Sequence, residues 1–385
     1  MSKSPHKPSF LKTVTFLLLS GMVSAQAART ADNFPLYTLA GTFDPVLITG
    51  RLQADGISFH EGADRLDDLF WRRFRMGAKT DFKHGLNVKT ELDFNLNQAD
   101  SGDWQKFYRR ITDAYIRWKP IDSLQLTLGK QAVNFTLDGA TSTTKLLTPE
   151  RSAVANNIWF AARFFTGASV GGRTDRFFYT AGGYSASGEA EFSHFDAGYF
   201  GLFSLGYRTG KNSSVRVDYV YNSPDYATAY KNFSGQQDVG SADHRQVLSL
   251  VLKQMLSEKW GIQADLAASE GIHDSEYSID QSDLLGLEIM PFYNLTESLQ
   301  LVLQYAAVAA LNGNPDVVMP PWASANADRQ KVEQTHNLLC GFNWFIYGHR
   351  LKWQNAVEYN YGENVAGAAD DYSGYGVSSA LRISW

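Results

Sequence analysis

The stretch Gly85–Asn97 constrains this chain more than any other. In GLNVKTELDFNLN, Leu86, Val88, Thr90, Leu92, Phe94 and Leu96 take one parity, and Asn87, Lys89, Glu91, Asp93, Asn95 and Asn97 take the other. A strict period of two means a β-strand with one apolar and one polar face. Segments of this kind recur to the last residue. Each is about ten residues long, the length with which a tilted strand crosses a bilayer. The expected fold is all-β, a transmembrane antiparallel β-barrel with lipid outside and charged, water-filled space inside.

Sixteen strands are expected: Ile48–Ser58, Phe70–Phe82, Gly85–Asn97, Tyr108–Lys119, Ser123–Gln131, Arg163–Gly172, Phe177–Tyr184, Ala197–Arg208, Val215–Asn222, Arg245–Leu256, Gly261–Glu270, Leu284–Tyr293, Ser298–Leu311, Thr335–Tyr347, Arg350–Tyr361 and Gly374–Trp385. The links between them alternate. Lys83–Gly85, Lys119–Asp122 and Gly348–His349 are short, whereas His60–Leu69, Ser223–His244 and Asn312–Gln334 are long. A soluble sandwich has no reason to sort its loops this way. Outer-membrane barrels do, with short periplasmic turns and longer external loops. Aromatics cluster at strand ends, as in Phe70 with Trp71, Tyr115 with Trp118, and Tyr359 with Tyr361, and read as interfacial girdles. Arg72 falls on the outward parity of its strand. Residues 132–157 form a long link without alternation.

Met1–Ala27 reads as a secretory signal, with Lys3, Lys7 and Lys12 before the apolar run Val14–Val23 and an Ala25-Gln26-Ala27 cleavage site. Residues 28–45 form a periplasmic lead-in, and 46–385 the barrel. The single cysteine, Cys340, excludes a disulfide framework and falls on a lipid-facing parity. The histidines are scattered without zinc spacing, so no metal or cofactor is expected. No phosphate-binding glycine loop or dinucleotide fingerprint occurs, and no nucleic-acid partner is expected. Gly167-Ala168-Ser169-Val170-Gly171 matches a nucleophile elbow, which would make Ser169 the nucleophile of an outer-membrane enzyme of phospholipase type. The elbow requires a following helix, and strand pattern lies on both sides here. Asp274, Glu276, Asp280 and Asp283 mark an acidic external loop, suited to divalent bridges to lipopolysaccharide.

Three patches resemble the phosphate-selective porin family of O/P type. They are Arg72-Arg73-Phe74-Arg75-Met76-Gly77 with Thr90–Phe94, then Asp113-Ala114-Tyr115-Ile116 with Leu124–Lys130, and Thr141-Ser142 with Thr148-Pro149-Glu150-Arg151-Ser152. They span roughly residues 45–155. The resemblance implies an outer-membrane, trimeric porin of sixteen strands whose third loop, residues 132–157, folds into the lumen as a constriction. It implies passive diffusion of small hydrophilic solutes or inorganic anions such as phosphate, with basic side chains lining the lumen. The chain departs from the family where Gly129-Lys130-Gln131-Ala132-Val133-Asn134-Phe135 lacks a proline.

Inward parity places Arg51, Arg73, Arg75, Lys79, Lys89, Arg109, Arg117 and Arg163 on the lumen side of early strands. Lys130, Lys145 and Arg151 complete the expected lining. From Arg29 to Arg176 there are 20 Lys and Arg against 17 Asp and Glu, whereas from Phe177 onward there are 12 against 23. Cations in a low-dielectric wall attract anions. The competing expectation is that Arg51, Arg73 and Arg117 pair with Asp55, Glu91, Asp93 and Asp113 across strands, leaving a cation-preferring or general diffusion pore.

Overall fold

The computed structural model describes residues 46–385 apart from 63, 98–103, 160–162, 188–190, 193–197, 225–243, 276–278, 320–330 and 364–370, together with the strand pair Thr38–Leu39. The expected signal, most of the lead-in and Glu276 lie outside the described residues.

Sixteen antiparallel strands make one closed barrel. They are β1 (Val46–Glu61), β2 (Asp64–Asp81), β3 (Leu86–Phe94), β4 (Tyr108–Ile121), β5 (Leu124–Ala132), β6 (Phe164–Arg173), β7 (Phe177–Ser185) and β8 (Gly198–Gly210). The second half holds β9 (Ser213–Pro224), β10 (Gln246–Met255), β11 (Trp260–Glu270), β12 (Leu284–Asn294), β13 (Leu299–Ala310), β14 (Gln334–His349), β15 (Leu351–Glu363) and β16 (Tyr372–Ser384). Each pairs with its sequence neighbours. β1 also pairs with β16, from Arg51 opposite Ser384 to Glu61 opposite Gly374, and closes the ring.

The outward face carries what a soluble sheet hides. Leu128 is 65% exposed, Val357 55% and Leu248 54%. Rows of exposed leucine and valine around a barrel demand a hydrocarbon neighbour. Exposed Trp118 and Trp260 sit near short turns, while Tyr199, Tyr359 and Tyr375 sit near the opposite rim. Both rims thus carry exposed aromatics as anticipated, except that Tyr115 is buried and lines the lumen.

The first outer connection departs from expectation. His60–Leu69 is not a loop. β1 and β2 continue as a tall hairpin, pairing Ser58 with Asp67 and Phe59 with Leu66. β16 holds β1 extended there, with His60 opposite Tyr375 and the two rings stacked at 5.3 Å. The many acidic residues hide a strand that its neighbour stabilises.

The inner face departs further, because part of it on β8–β13 is apolar. Phe200, Val220, Val247, Ala267, Leu284, Ala306 and Val308 point inward and are buried. They pack on helix α2 (Ala153–Ile158), whose Val154 and Ile158 are also buried. Sixteen strands enclose more space than side chains can fill. Here the long link fills that side as a small hydrophobic core.

Two β-bulges reset the parity of basic residues. Gln53 pairs with Arg73 and Ala54 with Trp71, so Arg72 is an extra residue and its side chain turns inward. Between β3 and β4, Glu91 pairs with Asp113 but Leu92 with Ile111, which leaves Thr112 extra.

The turn between β2 and β3 needs Gly85. It has φ +77, and a Cβ there would stand 2.1 Å from the Lys119 carbonyl oxygen of the next turn. Gly85→Val is expected to cost about 1–3 kcal/mol of backbone strain in addition to the clash, read as a lower temperature at which the folded barrel loses its compact electrophoretic form.

Candidate functional site

Segment 133–159 crosses the barrel interior and is tied to β1, β2, β9, β11, β12 and β14–β16. Asp218 on β9 accepts the Thr136 backbone N–H at 3.0 Å, and Asp265 on β11 accepts that of Leu137 at 2.7 Å. Glu288 on β12 accepts the Ser152 hydroxyl at 2.7 Å. Asn343 on β14 donates to the Leu147 carbonyl at 2.9 Å, and Lys352 and Gln354 on β15 donate to that of Leu146. Arg382 on β16 donates to Pro149 at 2.8 Å, and Arg51 on β1 to the Thr143 hydroxyl at 3.0 Å. A buried carboxylate and an unpaired loop amide are each costly alone. Each satisfies the other here. Short helix α1 (Leu137–Ala140) begins where Asp218 and Asp265 grip, capped by the Thr136 hydroxyl.

The strongest tie on the basic side is the bulge residue. Arg72 meets Glu150 through Nε at 2.5 Å and through a second nitrogen at 3.1 Å. Burial alone would raise the Glu150 carboxyl, but Arg72 and Arg73 override it and hold the group well below the usual carboxylate range. Arg151 donates to the carbonyls of Asp138 and Thr141 and lies over the Trp159 ring. Burial pushes its guanidinium down to about 10.

The expected lining residues fall into three groups. Some are bound into ion pairs or networks. Arg51 meets Glu91 at 3.2 Å, Arg75 meets Asp93 at 3.2 Å, Lys89 meets Asp113 at 2.7 Å, and Arg73 donates to Gln53 at 3.0 Å. Arg151 and Arg163 are buried, and Arg163 faces the rings of Trp159 and Phe164. Others are displaced. Arg109 is exposed beside a bulge, and Arg110 takes the position opposite Asp93, 3.7 Å from it. Lys130 shares the parity of outward Leu126 and Leu128, and its ammonium is capped by the Glu191 carbonyl.

The third group has no carboxylate partner among the described residues. Lys79 and Arg117 line a cavity of about 620 Å³ at the short-turn end, which Gly85, Lys119 and Trp385 also border. Lys145 is exposed on the segment beside Thr144, another lining residue. The anticipated pairing of Arg117 with a carboxylate does not occur. It uses Nε on Thr127 at 3.3 Å and stacks over Tyr115. Asp55 pairs with Arg382 instead of with an early arginine.

Sequence reasoning missed Arg72, Arg110 and the anchors Asp218, Asp265 and Glu288. Bulges hide the first two. The doubled Arg72-Arg73 was the available signal. For Glu288 it was a lone acid between inward Gly286 and Met290, whereas Asp218 stands two residues from its ion-pair partner Arg216. Ser169 sits inside strand β6 and donates to Gln131 at 2.8 Å, with a turn and β7 following instead of a helix. The elbow reading fails on that geometry.

A model of the family described as phosphate-selective porin O and P matches residues 46–284, more than half of the chain. No curated protein matches the sequence. Solved structures do match in fold. The anion-selective porin from Comamonas acidovorans is 12% identical, with 88% of this chain and 99% of that chain covered and a TM-score of 0.59. The Salmonella typhi OmpF complex with daunomycin is 10% identical, with 91% and 100% covered and a TM-score of 0.61. The trimer form of OmpT from Vibrio cholerae is 14% identical, with 88% and 99% covered and a TM-score of 0.53.

Since the folded value of Glu150 lies below its unfolded one, its stabilisation is present above the ordinary carboxylate range and is lost as pH falls through the depressed value. The tie to β2 is therefore expected to survive mild acid. Glu150→Gln leaves Arg72 without its counter-ion, and a loss of about 3 kcal/mol is expected, read in denaturant unfolding of the micelle-bound protein.

Proposed function

The chain belongs to the phosphate-selective porin O and P family, and from that premise we propose how its lumen selects solute. It is an outer-membrane porin through which small hydrophilic solutes diffuse passively, a channel rather than an enzyme. Segment 133–159 acts as the constriction. Its helix and the apolar inner wall of β8–β13 exclude water from one side, so solute passes along β1–β6. Three cations there, Lys79, Arg117 and Lys145, have no carboxylate partner, and this observation carries the proposal of anion preference. Arg51, Arg73, Arg75 and Lys89 shape the wall with their charge partly answered by carboxylates, while Arg151 and Arg163 are buried against aromatic rings.

The acidic excess of the second half does not oppose this reading. Asp218, Asp265 and Glu288 are engaged by the constriction segment, and Asp55 by Arg382. The remaining acid is largely external, where salt screens it over roughly 8 Å. The neighbour from Comamonas acidovorans is described as anion-selective, and that from Vibrio cholerae as a trimer. Both properties are proposed for this protein. The outer hairpin holding Asp274 and Asp280 is proposed to meet lipopolysaccharide through divalent cations. Residues 1–27 are proposed as a cleaved export signal.

Purified protein in a planar bilayer should give stepwise conductance, and the zero-current potential across a potassium chloride gradient should carry the anion sign. Replacing Lys79, Arg117 and Lys145 together by glutamate should reverse that sign. A cation sign in the unaltered protein refutes the preference. N-terminal sequencing of the outer-membrane form should begin at Ala28.

A further inference from the structure

Next to the vestibule lies a smaller cavity of about 160 Å³, and both are lined by Tyr115, Arg117 and Gln125. At about 30 Å³ per water it has room for about five waters, and it continues into the vestibule through their shared lining. Gln125, Gln131 and Asn134 supply amides to it, and Thr127, Ser169 and Thr180 supply hydroxyls. Tyr115 and Tyr184 add rings. Two charged residues reach it, Arg117 and Asp113. A simple anion eyelet would converge cations on one point, and this lining does not.

Much of the polar lining is unengaged. The side chains of Gln125, Asn134 and Thr180 form no hydrogen bond among the described residues. The terminal nitrogens of Arg117 have no protein acceptor there, since its one polar contact is Nε on Thr127. The guanidinium is held in place by the Tyr115 ring, 4.5 Å away. Gln131 accepts from Ser169 through its oxygen and reaches the Gly167 carbonyl at a long 3.5 Å, so its amide nitrogen is weakly held. Asp113 is fixed by Lys89 at 2.7 Å.

We infer that this pocket is a transient binding site for small hydroxylated monocarboxylates of the sugar-acid type, such as gluconate. The inference rests on the anion-preferring reading and gives it a substrate class. A guanidinium fork with free terminal nitrogens matches one carboxylate. With Asp113 answered by Lys89, the pocket offers one unpaired positive charge, so the second charge of a dianion such as hydrogen phosphate or a dicarboxylate finds no partner there. The unpartnered amides and hydroxyls replace the hydration of a polyol chain with donors and acceptors of both kinds. A neutral sugar gains those contacts but leaves the guanidinium unanswered.

The test is current block in planar bilayers carrying chloride through the full-length mature porin. Gluconate, glucose and phosphate are each added on the short-turn side. Gluconate is expected to reduce the chloride current at lower concentration than either of the others. In Arg117→Gln the half-blocking concentration should rise about tenfold, the loss of one charge-assisted hydrogen bond. Gln125→Ala, which removes no side-chain hydrogen bond among the described residues, should weaken the block several-fold and guards against a folding defect in the first variant. Chloride current that gluconate leaves unchanged overturns the inference alone, as does tighter block by phosphate or equal block by glucose. Absence of any chloride current overturns the pore reading and this inference together.

Discussion

Every backbone amide that faces hydrocarbon must find its partner within the protein, because the bilayer core offers no water to take its place. A sheet meets this demand only by closing on itself. The pairing of β1 with β16 completes that closure, and the terminal strand finishes it when Gly50 and Trp385 exchange backbone hydrogen bonds at 3.0 and 3.1 Å. Lacking a Cβ, Gly50 leaves room for the Trp385 ring, which a side chain there would meet at 2.3 Å. Closure with sixteen strands then creates a second problem, a lumen too wide to be specific. Segment 133–159 answers it, and most of what distinguishes this barrel follows from how that segment is held.

It is held by a division of labour between two walls. On β9, β11 and β12, carboxylates accept from loop backbone and hydroxyl groups, while apolar neighbours pack on α2. On β1, β2, β15 and β16, cations and amides donate to loop carbonyls, a hydroxyl and one carboxylate. The acidic wall thus serves as an anchor and the basic wall borders the water. Charge that looks like lumen charge in sequence is for the most part structural charge.

The strand plan was legible because bilayer-crossing strands repeat one pattern, apolar against polar at period two, and the outward half of that pattern answers to lipid alone. All sixteen strands appear near their expected positions. The hairpin at His60–Leu69 was not legible, since its extension depends on β16, a partner more than three hundred residues away. The inward half of the pattern was read too simply. Val220, Val247 and Leu284 sit on inward parity as plainly as Asp218 and Ser249 do, but whether such a position meets water or a folded-in segment is decided by that segment. Parity also failed locally at Arg72 and Arg109, because a bulge inserts one residue and exchanges inside for outside from there on.

The same asymmetry explains why net charge is a poor guide to selectivity here. An ion in the lumen responds to charges that remain uncompensated within about a Debye length and are separated from it by water. Among the described residues, the acid of Phe177–Trp385 includes three anchors whose lone pairs are already occupied, Asp218, Asp265 and Glu288. The near-balanced first half has several of its carboxylates matched by arginine or lysine at 2.5–3.7 Å, and leaves over the few cations that line water. On the proposed reading, a small surplus in the right place outweighs a larger deficit elsewhere. Where buried acids pin the inner segment, as Asp218, Asp265 and Glu288 do, their charge is spent on holding that segment and reaches the water little.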